Sequence, residues 1–303
     1  MSIFNSFLQK TLYIAVVLFY ALSGNGQSPL NNTWEITSQT LTQKWELDEE
    51  SRKGTFRIQS YKPIYISLAR WSSSPNTDPY SENPDYTSMD TVNLNSFEAK
   101  FQISLKSKLW QGIFGDYGDL WAGFTQTAYW QIYNNEISRP FRELNYEPEL
   151  MLVFPMRMQA LGFDLRLLGG GFNHQSNGKD LPQSRSWNRI FFNAAFERDG
   201  WQINLKPWIR IPDNDDDQNP EISNYIGRAE INVSYQFKKQ TVYAVIKQPF
   251  NSLNRGSLQL NYVFPVKANL RFHLQVFTGY GETLIDYNHK QTTVGLGISF
   301  FDW

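Results

Sequence analysis

The stretch from Leu270 to Tyr280 sets Leu270, Phe272, Leu274, Val276 and Tyr280 against Arg271, His273 and Gln275, an apolar side chain at every second position except Thr278. A period of two is the mark of an extended strand with one apolar and one polar face. The neighbouring sequence repeats it: Leu258, Leu260, Tyr262 and Phe264 alternate with Ser257, Gln259 and Asn261. Ala229, Ile231, Val233, Tyr235 and Phe237 do so against Glu230, Asn232, Ser234 and Gln236, and the chain finishes on Val294, Leu296, Ile298 and Phe300. About twelve such segments follow residue 60, each roughly the 9 to 11 residues that a tilted strand needs to cross a bilayer. An even number of antiparallel strands closes into a barrel with both termini on one side.

A soluble sandwich also alternates, with one wet face. Two features favour a membrane barrel. Aromatic residues crowd the strand ends, with Trp71, Trp110, Trp121, Trp130, Tyr133, Trp187, Trp208 and Tyr280 expected in the two interfacial girdles. The connections also alternate in length. Polar stretches at 72–95, 134–145, 178–185, 213–223, 250–255 and 282–291 lie on one side, and short ones at 111–117, 159–162, 199–200, 238–239 and 267–268 on the other, as expected of extracellular loops and periplasmic turns. The chain ends in Phe301 and Trp303, a terminal aromatic that resembles the assembly signal of such barrels. The expectation is an all-β, outer-membrane type transmembrane antiparallel barrel of about 12 strands.

Composition narrows the function. The 303 residues include 22 Phe, 16 Tyr and 10 Trp, an aromatic excess that soluble averages do not explain. A formal net charge of −1 argues against a nucleic-acid partner, and the absence of cysteine excludes thiolate chemistry and disulfides. At the N-terminus, Lys10 precedes an apolar run from Leu12 to Leu22 and the small residues Ser23 to Gly26. This is the layout of a secretory signal peptide, residues 1–26, with Gln27 as the mature start. A buried N-terminal helix would show polar positions at helical spacing, which this run lacks. Residues 27–59 then form an N-terminal periplasmic segment and 60–303 the barrel.

Polar residues in the lipid-facing phase cost free energy and are functional candidates by default. Gln126 shares its phase with Leu120, Ala122, Phe124, Ala128 and Trp130, which puts an amide in mid-membrane. Unpaired, it would cost several kcal/mol, so it calls for a polar partner, most simply the same residue of a second copy; a bulge turning it into the lumen is the alternative. Asn188 shares the outward phase of Ile190, Phe192, Ala194 and Phe196. If the turn-rich run Asn177 to Arg185 is a hairpin tip centred on Leu181, His174 lies opposite Asn188, and Ser176 opposite Ser186. The start of that strand, with Phe163, Leu165 and Leu167, reads in the opposite phase, and Gly169, Gly170 and Gly171 offer a place for a bulge to absorb the slip. A serine beside a histidine base, with an amide carbonyl to orient the imidazole, is the composition of a hydrolytic triad. By itself, His-x-Ser with a later Asn also fits an incidental patch on a passive channel or structural barrel.

The run Asn173, His174, Gln175, Ser176, Asn177, Gly178, followed by Ser184, Arg185, Ser186, Trp187, Asn188, Arg189, resembles the active-site region of the outer-membrane phospholipase A family. So do the blocks Pro140 to Pro148, Lys206 to Trp208 and Gly279 to Asn288, in order and at matching spacing. The resemblance implies a twelve-stranded barrel and a calcium-dependent homodimer acting on phospholipids of the outer leaflet of the Gram-negative outer membrane. It implies Ser176 as nucleophile, His174 as base, Asn188 as the residue that orients the histidine, and the Gly178 N–H, with a calcium-bound water, at the oxyanion. Calcium ligands carry over to the carbonyls of Ser138 and Lys179 and the hydroxyl of Ser184, and Gln126 matches a dimer-contact glutamine. Hydrolysis of sn-1 and sn-2 esters is the implied activity. Lys179 stands where the family has an arginine and Leu181 where it has an aspartate, which puts a second calcium site near that loop or Asp216 in doubt.

Overall fold

The computed structural model describes residues 39–299, apart from 89–90, 214–215, 251, 253, 268–269. The expected signal peptide, the first part of the 27–59 segment and the terminal Phe300, Phe301 and Trp303 lie outside the described residues.

Thirteen strands form one antiparallel sheet. A two-residue strand β1 (Gln59–Ser60) is followed by β2 (Tyr65–Ser72), β3 (Phe97–Trp110), β4 (Asp119–Trp130), β5 (Phe141–Ala160), β6 (Phe163–Ser176) and β7 (Ser186–Arg198). The second half comprises β8 (Trp201–Ile211), β9 (Ala229–Phe237), β10 (Gln240–Lys247), β11 (Ser257–Lys267), β12 (Leu270–Tyr280) and β13 (Lys290–Ser299). Each of β2 to β13 pairs with its neighbours in sequence, and β13 pairs with β2, so these twelve strands close into a barrel. β1 adds to β3 beside β2, and Pro63, which has no N–H to donate, lies in the gap between them. Among the described residues no helix is long and apolar enough to cross a membrane. β5 begins at Phe141, so the connection before it runs over 131–140 and the polar residues Arg142, Glu143 and Asn145 belong to the strand.

The alternation sorts side chains as the sequence requires. On β7, Trp187, Arg189, Phe191, Asn193 and Ala195 are buried inside, while Ile190 and Phe192 are exposed on the outer wall. Phase corrects the girdle assignment. Trp71, Trp110 and Tyr133 are exposed as expected, but Trp121, Trp187 and Trp208 lie in the inward phase and are buried. With Met151, Val153, Leu167 and Phe191 they form an apolar plug across the lumen.

The N-terminal segment completes that plug. Helix α1 (Leu41–Trp45) opens with a capping box, Thr40 accepting from the Gln43 N–H while the Gln43 side chain accepts from the Thr40 N–H. It buries Leu41 and Trp45 in the cluster; Trp45 meets Trp121 and Tyr61 edge to face at 5.7 and 5.8 Å, and Lys106 Nζ lies 3.4 Å from its ring centroid. The Leu41 N–H donates to Glu197 and Lys44 to Gln202, tying the helix to β7 and β8 near their short turn. At the other end, the β12–β13 connection turns inward, burying Leu284, Ile285 and Tyr287. Arg70 and Lys100 hold Glu282, and Arg142 holds Asp286. Burial raises the pKa of each carboxyl, but these cations outweigh it and bring both down to about 2.

Candidate active site

The hairpin β6–β7 has the register read from its turn: His174 pairs with Asn188, and Ser176 with Ser186. Directly paired residues share a face. His174, Ser176 and Asn188 therefore stand on the outer wall with Phe172, Ile190 and Phe192, which are exposed. The phase slip at the start of β6 is real, but its position differs from the expectation. Leu165 pairs with Phe196 and Leu167 with Ala195, leaving Arg166 as the extra residue. Both Arg166 and Leu167 serve the inner side, Arg166 bonding Glu197 and Leu167 joining the apolar cluster. The glycine run stays in register and has another purpose: a Cβ at Gly169 or Gly171 would stand 2.4 or 2.0 Å from the carbonyl oxygen of Leu152 or Leu150. Those glycines let β5 and β6 approach closely directly below the site.

His174 Nδ1 and Asn188 Oδ1 are 2.8 Å apart. A carbonyl oxygen only accepts, so Nδ1 carries the proton and Nε2 keeps the lone pair that a base requires. The Asn188 amide in turn donates to Asp213 at 3.4 Å. Gly178, just past the serine, has φ +63°, and a Cβ there would lie 3.0 Å from the Tyr146 ring, so this backbone turn suits glycine alone.

Across the outer wall runs a second alignment. Gln126 pairs with Tyr146, which pairs with Ser176. One transverse row thus carries Ile103, Gln126, Tyr146, Ser176 and Ser186, with Gln126 two strands, or about 10 Å, from the serine. Gln126 faces outward beside exposed Phe124 and Ile103, so no bulge turns it into the lumen. Among the described residues its amide has no hydrogen-bond partner.

The suggested calcium ligands divide. Lys179 and Ser184 sit on the same hairpin tip. The Lys179 ammonium is drawn to Gln183 Oε1 at 2.8 Å and Glu143 at 3.6 Å, and the Ser184 hydroxyl donates to Gln218 at 3.2 Å. Burial pulls the Lys179 pKa below the ordinary lysine value, against the opposing pull of Glu143. Ser138 lies on the neighbouring connection before β5, at φ +63°. Among the described residues no cluster of three His, Cys, Asp or Glu side chains forms a metal site. Carbonyl and hydroxyl oxygens are hard neutral donors, the kind that calcium accepts.

The hairpin is braced by contacts between loops. Arg185 is buried and donates to the Tyr86 carbonyl at 2.8 Å, Ser81 donates to the Gln218 carbonyl at 2.8 Å, and Asn177 caps the Arg185 N–H at 2.9 Å. These contacts lock the tip between the 73–96 and 212–228 connections. No periodicity announces them, because loop-to-loop contacts carry no repeat.

A family model described as Phospholipase A1 matches residues 41–300. The chain is 38% identical over 247 residues to the phospholipase A1 of Klebsiella pneumoniae, covering 82% of this chain and 83% of that protein. It is 40% identical over 210 residues to the phospholipase A1 of Escherichia coli strain K12, covering 69% and 72%. Among solved structures it is similar to outer membrane phospholipase A from Escherichia coli, with a TM-score of 0.72 at 35% identity over 81% of this chain and 94% of that one. The Salmonella typhi outer membrane phospholipase, a dimer with bound calcium, gives 0.73 at 35% identity over 83% and 94%.

Proposed function

The chain belongs to the phospholipase A1 family, and on that premise we propose that it is an outer-membrane phospholipase that opens the sn-1 and sn-2 acyl esters of glycerophospholipids from the outer leaflet. The observation that carries this reading is the 2.8 Å contact between His174 and Asn188 on the outer wall, with Ser176 on the same face. Residues 1–26 are the leader that delivers it, and residues 27–59 lead into the barrel 60–303 from the periplasmic side, with α1 inside the lumen.

Ser176 Oγ attacks the ester carbonyl as His174 Nε2 takes its proton, and the negative charge that develops on the carbonyl oxygen meets the Gly178 N–H. His174 returns the proton to the leaving glycerol oxygen, giving an acyl-serine and a lysophospholipid. Water, deprotonated by the same nitrogen, then releases the fatty acid. Asn188 stabilises the imidazolium through its carbonyl, and a neutral amide spares the wall a full charge beside hydrocarbon. The Ser138 and Lys179 carbonyls and the Ser184 hydroxyl would hold calcium, which would supply positive potential near the oxyanion. The active form is a homodimer in which Gln126 meets its counterpart, which satisfies the amide in hydrocarbon and sets the contact one row position from the nucleophile's neighbour Tyr146.

A channel is the competing reading, and the interior speaks against it: α1, the tryptophan cluster and the inward β12–β13 connection fill the lumen. The test is release of fatty acid from phospholipid micelles by wild type and Ser176→Ala, with calcium and with chelator. Loss of hydrolysis in a folded Ser176→Ala barrel is expected. Full activity in that variant overturns the mechanism, and ion conductance by a protein without lipase activity restores the channel.

A further inference from the structure

Asn188 has two ends, and only one of them is useful to the histidine. With the carbonyl toward His174, Nδ1 must carry the proton and Nε2 is left as the base. With the amide flipped, the NH2 group would face Nδ1, favour the other tautomer and leave Nε2 protonated and unable to deprotonate Ser176. Something has to choose between the two orientations, since the two ends of an amide are nearly the same size.

We propose that Asp213 is a positioning residue that makes this choice, and that the site is a four-member series running Asp213, Asn188, His174, Ser176. This rests on the phospholipase reading above. Asn188 pairs with Ile211, the last residue of β8, and Asp213 follows two residues beyond it. There its Oδ1 accepts from Asn188 Nδ2 at 3.4 Å. Its Oδ2 is buried without a hydrogen bond, with Arg210 4.0 Å away. A carboxylate is an acceptor only. In the flipped orientation the Asn188 carbonyl would oppose it, acceptor against acceptor, so Asp213 excludes that state and holds the carbonyl on His174. The carboxylate accepts from the amide, the amide carbonyl accepts from Nδ1–H, and Nε2 is left with the lone pair that Ser176, on the same face, requires. The arrangement also places the carboxylate at the strand end, in the connection that follows β8, instead of on the lipid-facing strand itself, where an aspartate in place of Asn188 would put a charge against hydrocarbon.

The experiment measures kcat and KM for fatty acid release from calcium-containing phospholipid micelles by wild type, Asp213→Ala, Asp213→Asn, Asn188→Ala, the Asn188→Ala/Asp213→Ala double variant and Ser176→Ala. Asp213→Ala is expected to lower kcat about tenfold with KM within twofold, because a residue that only selects the orientation of the orienter matters less than the orienter. Asp213→Asn, which can present a carbonyl to the Asn188 amide, is expected within about threefold of wild type. In the Asn188→Ala background, Asp213→Ala is expected to change nothing, since there is no amide left to orient. An Asp213→Ala enzyme with wild-type kcat, or the same tenfold loss with and without Asn188, overturns the proposal; the latter also exposes a merely structural role. If Asp213→Ala does not fold, the Asp213→Asn and Asp213→Ser pair decides: equal, wild-type rates in both overturn it. Failure of the phospholipase reading itself shows separately, as activity remaining in Ser176→Ala.

Discussion

Removing the Asn188 side chain tests the geometry most directly. Asn188→Ala deletes the 2.8 Å acceptor of His174 Nδ1 and leaves the serine, the histidine and the barrel wall in place. In the ground state the imidazole is neutral, and that bond is worth about 1 kcal/mol. In the transition state the ring is an imidazolium, and a hydrogen bond to a charged group is worth about 1.5–3 kcal/mol. The variant also frees the ring to adopt the wrong tautomer, which adds to the loss on kcat. The difference between the two bond strengths, about 0.5–2 kcal/mol, predicts a fall of roughly 2- to 30-fold in kcat at about 1.4 kcal/mol per tenfold, before the loss from the wrong tautomer is added. KM should hardly move, because the lost interaction strengthens only as charge develops. The assay is continuous titration of released fatty acid over a range of phospholipid concentrations at saturating calcium, with folding checked by far-ultraviolet circular dichroism. An unchanged kcat, or a loss confined to KM, would refute the assignment of Asn188 as the orienter of the histidine.

Four further outcomes follow from other parts of the molecule. Gln126→Leu should weaken the dimer by about tenfold, from the loss of amide pairing at about 0.6–1.7 kcal/mol per hydrogen bond in membranes, as read by sedimentation equilibrium in detergent; a dimer of unaltered strength would remove Gln126 from the contact. Trp45→Ala should lower unfolding stability by about 3–5 kcal/mol in a urea titration, since it takes a buried indole from the lumen plug, while hydrolysis at low denaturant is retained. Gly178→Ala should cost about 1–3 kcal/mol of backbone strain at φ +63° and sharply lower activity, because the methyl also presses on the Tyr146 ring. The anchoring of the 281–289 connection should be lost in acid: Glu282 and Asp286 titrate at about 2 in the folded protein against ordinary values of 4.5 and 3.8. Depressed carboxyls contribute stability that is fully present above those ordinary values and disappears as pH falls through about 2. Stability measured between pH 5 and 2 should therefore decline, and Asp286→Asn should flatten part of that slope.

Much of this architecture was legible because its causes are local. A strand with two different faces must alternate, so the period of two announces strands, and the count near twelve follows. The pairing of His174 with Asn188 was equally readable, since a hairpin register depends only on where its turn is centred, and the turn residues around Leu181 mark that centre. The same phase reasoning put Gln126 on the outer wall. What the alternation left ambiguous was the sign of each face where both are apolar. Trp121, Trp187 and Trp208 suit an interfacial girdle and a packed lumen equally well by hydrophobicity, and only the closed barrel shows them inside.

The location of the β6 bulge was decided by tertiary structure too. Glycines permit a bulge, but the slip falls at Arg166, where Glu197 on β7 rewards an extra inward side chain, and the glycines are used for close strand approach. The filling of the lumen by α1 and the placement of Asp213 against Asn188 join elements that share no repeat and lie far apart or across a loop. A sequence by itself fixes what neighbouring residues do to one another: strand, phase, turn and hairpin register. Contacts closed only when twelve strands return upon themselves depend on where the chain has been carried in space, and these decide which aromatic faces inward, what seals the barrel and what stands behind the Asn188 amide.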